Sequence, residues 1–115
     1  MNELALTDTV IKESCHIAAE KVYDLLGNDL VSIILFGSCA RGDFHGDSDI
    51  DIAVLTKSDR IAEMQYTDGL AAIATEIAMK NYSVVNFVCI PVKEYEEKKG
   101  WYLFYKNIER EGRYI

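Results

Sequence analysis

The chain has 115 residues, half of them apolar, and a formal net charge of −7. That length suits one compact core and is too short for two, so residues 1–115 read as a single domain. The acidic excess argues against strong nonspecific nucleic-acid binding, which depends on Lys and Arg neutralising phosphates.

Met1-Asn2-Glu3-Leu4 lacks the basic, then apolar, start of a signal peptide. The longest apolar run, near Leu30 to Phe36, is far below a membrane span, so a cytoplasmic protein is expected. Cys15, Cys39 and Cys89 stand far apart with no paired spacing, which makes a disulfide framework or a zinc site improbable.

In chain order, Ile11, Cys15, Ala18, Val22 and Leu25 recur at helical spacing after the capping residues Thr7 and Asp8, and Gly27-Asn28 closes the pattern. Leu30 to Phe36 has the aliphatic content of a buried strand and runs directly into Gly37-Ser38-Cys39-Ala40-Arg41-Gly42. After a turn-rich segment, Asp49 to Leu55 alternates acid with aliphatic and then becomes wholly apolar, giving a second strand. Ser58 and Asp59 suit the start of a long helix whose buried face carries Tyr66, Leu70, Ile73 and Ile77 and which ends near Asn81. Ser83 to Ile90 reads as a third strand stopped by Pro91, and the remainder as one or two helices broken at Gly100. The expected fold is α/β of the α+β type, a short mixed sheet with flanking helices.

Strand residues two apart share a face, so Asp49 and Asp51 place two carboxylates side by side, roughly 6 to 7 Å apart along the backbone. Such a pair repels by on the order of 2 kcal/mol, which a cation, or separation of the side chains, relieves. Hard oxygen ligands without a nearby Cys or His pair favour Mg²⁺ or Mn²⁺ over zinc. At Gly37-Ser38, glycine lets backbone amides approach a phosphate and the serine hydroxyl can donate to it. Arg41 adds a positive fork, although an ion pair with Asp43 or Asp47 explains it equally well. Cys39 reads as a packing residue, Ser48 as shaping the loop or orienting Asp49, and the stripe Trp101, Phe104, Tyr105 and Ile108 as core, or as a partner surface if exposed.

Gly37-Ser38, ten residues, then Asp49-x-Asp51, between two strand-like runs, resembles the nucleotidyltransferase superfamily typified by the catalytic domain of DNA polymerase beta. The wording Phe36-Gly37-Ser38-Cys39-Ala40-Arg41-Gly42 through Ser48-Asp49-Ile50-Asp51-Ile52 is closest to its minimal nucleotidyltransferase branch. The resemblance implies a nucleotidyltransferase fold, with Asp49 and Asp51 binding catalytic metal, Gly37 and Ser38 holding the phosphates of ATP or another nucleoside triphosphate, and Arg41 a weaker phosphate contact. The family's third acid, on the following strand, is replaced here by Asn86, which brings no charge and cannot serve as a general base at neutral pH.

Three functions follow from the resemblance. The first is transfer of AMP from ATP to a hydroxyl on a protein, with a HEPN-domain toxin as the partner. The second is a binding module that masks that partner without chemistry. The third, an aminoglycoside-modifying enzyme, fits less well, since about two dozen residues after Pro91 would need a partner or a second subunit of a homo-oligomer to enclose a small substrate.

Overall fold

The computed structural model describes residues 5–115; Met1 to Leu4, whose sequence argued against a signal peptide, lie outside the described residues. Helix α1 (Asp8–Leu26) starts where Thr7 Oγ1 accepts from the Val10 amide and stops at Gly27, whose φ of +55° a side chain rarely adopts. Its buried stripe is the expected one until the last turn, where Leu26 is buried and Leu25 is 36% exposed. Leu26, four residues after Val22, continues the stripe, while Leu25 lies over Gly69, where any Cβ would meet it at 2.7 Å.

Strands β1 (Leu30–Phe36) and β2 (Ile50–Thr56) are antiparallel, with the short helix α2 (Ser38–Arg41) between them. The expected single long helix is in fact broken. Helix α3 (Arg60–Glu63) passes through a 3₁₀ turn, Met64–Tyr66, into α4 (Thr67–Asn81). Asp59 rather than Ser58 is its N-cap, accepting from the Ala62 amide. The reason is Asp29, whose carboxylate takes both the Ser58 hydroxyl at 2.5 Å and the Tyr66 hydroxyl at 2.6 Å and so draws these two residues out of a regular helix.

Strand β3 (Val85–Pro91) lies parallel to β2, and helices α5 (Val92–Lys98) and α6 (Leu103–Glu111) follow. Pro91 ends the strand without breaking a bond, because alternate residues of β3 point their nitrogen away from β2. A two-residue strand, β4 (Arg113–Tyr114), which the sequence did not suggest, pairs antiparallel with β1 and completes the mixed sheet in the order β3-β2-β1-β4.

Side-chain alternation divides the core into two layers. Ile33, Leu35, Ile50, Ile52 and Val54 face α1 and α4, whereas Ile34, Ala53, Leu55 and Ile90 face Tyr95 of α5 and Tyr105 and Ile108 of α6. The aromatic stripe therefore splits: Tyr105 and Ile108 are core, and Trp101, at 69%, and Phe104, at 38%, are exposed. Among the described residues no helix is long and apolar enough to cross a membrane.

Gly112 sets how closely the chain folds back onto β1, because an added Cβ would lie 2.5 Å from Ile34 Cγ2 and against the Ile108 carbonyl. Gly112→Ala should cost about 1 to 3 kcal/mol through overpacking. Urea unfolding measures it, and an unchanged midpoint would show that β4 tolerates displacement from β1.

Candidate active site

The site forms where β1 ends, β2 begins and β3 passes alongside. In the ladder Phe36 is opposite Asp51, and Asp51 is opposite Asn86, so the three side chains share the sheet face that carries α5 and α6. Asp49 immediately precedes β2. The two carboxylates converge, for the Asn86 side-chain nitrogen donates to Asp49 Oδ2 at 3.0 Å and to Asp51 Oδ1 at 3.3 Å. The amide presents its N–H₂ end because two acceptors face it; coordinating an ion would require it to turn its oxygen round.

Gly37 has φ +75° and abuts Asp51, whose Oδ2 would be 2.5 Å from an added Cβ. The glycine is thus required for the carboxylate as well as for any phosphate. Behind it α2 turns tightly, with the Ala40 and Arg41 amides both donating to the Gly37 carbonyl. The amides of Ser38 and Cys39, in the first turn, have no partner among the described residues. These two amides and the Ser38 hydroxyl are what the turn offers to an anion.

Burial, above all, and the charge of Asp49 raise the Asp51 carboxyl above its usual range, against the opposing pull of the Asn86 amide and Arg41. Arg41 is exposed, its Nε bonded to Asp43 Oδ2 at 3.2 Å and its Nη1 to Glu111 Oε1 at 3.1 Å. Asp47 is not its partner; Glu111, far along the chain, is. Ser48 Oγ accepts from the His45 amide at 2.8 Å, which shapes the loop. Cys39 is buried, and burial followed by the Asp51 charge raises its thiol, so it is no thiolate nucleophile. Its Sγ donates to the Asp49 carbonyl at 3.4 Å, anchoring the acid from behind, a role no sequence signal announced.

The donor chemistry fits one hard divalent ion. Asp49 and Asp51 supply carboxylate oxygens at one point, and among the described residues no third His, Cys, Asp or Glu joins them. The remaining coordination would fall to the Asn86 oxygen, water and phosphate. A cavity of about 660 Å³ beside Tyr23, Val31 and Ile115 lies across the molecule on the α1 side and touches none of these residues.

The model of the nucleotidyltransferase domain family matches residues 17–115. The chain belongs to that family. As a nucleotidyltransferase domain it is 34% identical, over 83 residues, to a Methanocaldococcus jannaschii protein provisionally named a protein adenylyltransferase, covering 72% of this chain and 75% of that one. A chain from a crystal structure of a toxin–antitoxin with AMP-PNP superposes with a TM-score of 0.50 at 28% identity, over 83% of this chain and 69% of that one. A Sulfolobus solfataricus protein provisionally named a nucleotidyltransferase, at 20% identity, shares the fold with a TM-score of 0.52 over 92% of this chain and 82% of that one.

Gly37→Ala should destabilise this nucleotidyltransferase by roughly 1 to 2 kcal/mol from the positive φ alone and push Asp51 aside. Thermal unfolding with and without millimolar Mn²⁺ separates the effects: the variant should melt lower and lose any Mn²⁺-dependent rise in Tm. A variant that kept the full rise would mean that Asp51 does not need the glycine to reach an ion.

Proposed function

We propose that the domain transfers the AMP moiety of ATP to a hydroxyl of a partner protein, and that this partner is a HEPN-domain toxin. The observation that carries the reading is the convergence of Asp49 and Asp51 on a single point beside the Gly37-Ser38 turn. Family membership supports the reaction class. The name of the M. jannaschii relative supports a protein as acceptor, and the AMP-PNP of the toxin–antitoxin structure supports an adenine nucleotide. The HEPN partner rests on the resemblance to minimal nucleotidyltransferases.

In this reading the unpartnered Ser38 and Cys39 amides and the Ser38 hydroxyl take the terminal phosphates, with Gly37 allowing their approach. Asp49 and Asp51 hold one Mg²⁺ or Mn²⁺, which supplies charge neutralisation at the phosphates. The acceptor oxygen bonds to the α-phosphorus, the bond from that phosphorus to the β-phosphate oxygen breaks, pyrophosphate leaves, and the hydroxyl proton passes to solvent. Asn86 takes no proton; by donating to both acids it keeps them together and facing the turn. Arg41, held by Asp43 and Glu111, stands at the rim of the phosphate site.

Incubation with α-labelled ATP, Mg²⁺ and the co-expressed partner should label the partner, and Asp49→Asn should reduce that labelling by about a hundredfold or more. Equal labelling by the variant would overturn the assignment. Asn86 favours a second reading, in which the domain masks its partner without chemistry, because it replaces an acid with a group that cannot act as a base. A partner complex that forms, neutralises the toxin and survives replacement of both aspartates would select masking over transfer.

A further inference from the structure

Strand β3 is an edge strand, paired with β2 on one side only. The Ile50 amide donates to the Val84 carbonyl, and Ile50 lies opposite Val85. In a parallel ladder this register turns the N–H and C=O of Asn86 and Val88 inward to β2 and those of Val85 and Phe87 outward. None of these outward groups has a hydrogen-bond partner among the described residues. Farther along, the edge is closed, because Arg60 Nη1 donates to the Cys89 carbonyl at 3.1 Å. The open stretch is therefore Val85 to Phe87, the stretch that flanks the carboxylates.

The two sides of this stretch differ. Asn86 faces Asp49 and Asp51, while Val85 and Phe87 face α4, where a cavity of about 370 Å³ opens at the sheet edge between Phe87 and Leu70, Ala71 and Ala74. Glu63 stands in the wall of that cavity, and no Lys or Arg lines it. Arg60, the cation that closes the far part of the edge, is bonded to Glu94 and Tyr105. Both slots beside the open edge thus carry carboxylates on a chain whose net charge is −7.

We propose that the protein substrate is read as a basic, extended segment that adds a strand to Val85–Phe87. Alternate apolar side chains enter the cavity under α4, and the residue between them presents its hydroxyl opposite Asn86, at the carboxylate site. The alternation of an added strand supplies this geometry directly, since a residue opposite Asn86 has its Cβ about 5 Å away on the catalytic face. Backbone pairing gives the register, the cavity selects the flanking side chains, and the surrounding acids select cationic ones. So short an open edge suits a substrate that must leave. This inference rests on transfer to a protein hydroxyl and names the form in which that hydroxyl arrives.

The test uses nucleotide-free, metal-free protein and a fluorescent peptide Lys-Lys-Val-Tyr-Val-Lys-Lys. Anisotropy should show saturable binding, weakened at least tenfold by N-methylation of one alternate set of peptide amides and little by methylation of the other set. Amide exchange at Val85 and Phe87 should slow on binding while Val88, bonded to β2, is unchanged. Absence of binding, equal effects of both methylated sets, or protection confined to other residues would overturn the proposal. If AMP transfer to the co-expressed partner proceeds while the Val85 and Phe87 amides stay unprotected, docking on the edge fails and the transfer reading stands. If the peptide docks as described but neither it nor the partner is ever labelled, the edge is a binding site and the transfer reading fails.

Discussion

Two carboxylates brought within hydrogen-bonding reach of one amide nitrogen are an electrostatic liability, and the surrounding structure is arranged around that fact. At an effective dielectric of about 20 the pair costs on the order of 2 kcal/mol before any compensation. Asn86 offsets part of it from β3, Arg41 lies near enough to lower the Asp51 carboxyl, and Cys39 fixes the Asp49 backbone from beneath. Gly37 contributes by what it lacks, for any side chain there would occupy the space of the Asp51 carboxylate. None of these four groups removes the repulsion, which leaves a site whose carboxylates gain from a divalent cation.

The rest of the fold explains why the liability is tolerated. Strand β2 is buried along nearly its whole length, with Ile50, Ile52 and Val54 on one face and Ala53 and Leu55 on the other. Asp51 is the single polar residue on the second face, and it sits half-buried at the start of the strand. Stability comes from the apolar part of the strand, and the polar beginning is held in place by it. The Ser14, Ser83 and Asn81 side chains tie α1 to the end of α4 and the approach to β3, which fixes the third strand, and hence Asn86, against the first two.

The parts of this arrangement legible in the sequence were those encoded locally. Gly37-Ser38 at a strand end and Asp49-x-Asp51 at a strand start each declare themselves by composition and period, whereas Asn86 was singled out through the family resemblance. The breaks in legibility occur where a distant partner decides. Tyr66 leaves the long helix because Asp29, from before β1, bonds its hydroxyl, and Arg41 pairs with Glu111 because α6 returns beside α2. Strand β4 has only two residues, too few to show a period, and exists because Gly112 lets the chain turn back onto β1. Trp101 and Phe104 obey a helical spacing, yet Trp101 lies before α6 begins, so the spacing did not correspond to one buried face.

On the proposed reading Asn86 joins the chemistry to recognition. An acid at that position would add a third negative charge to the pair and make the exposed edge of β3 costlier to approach for anything but metal. The neutral amide bonds the two acids and leaves the strand beside them open, so that Asn86 forms the border between the carboxylate face and a free sheet edge. On the same proposed reading a large enclosing substrate domain adds little, because the backbone of the docked segment supplies the missing wall. A net charge of −7 repels the phosphates of nucleic acid and, on the proposed reading, attracts a cationic protein segment to the same edge.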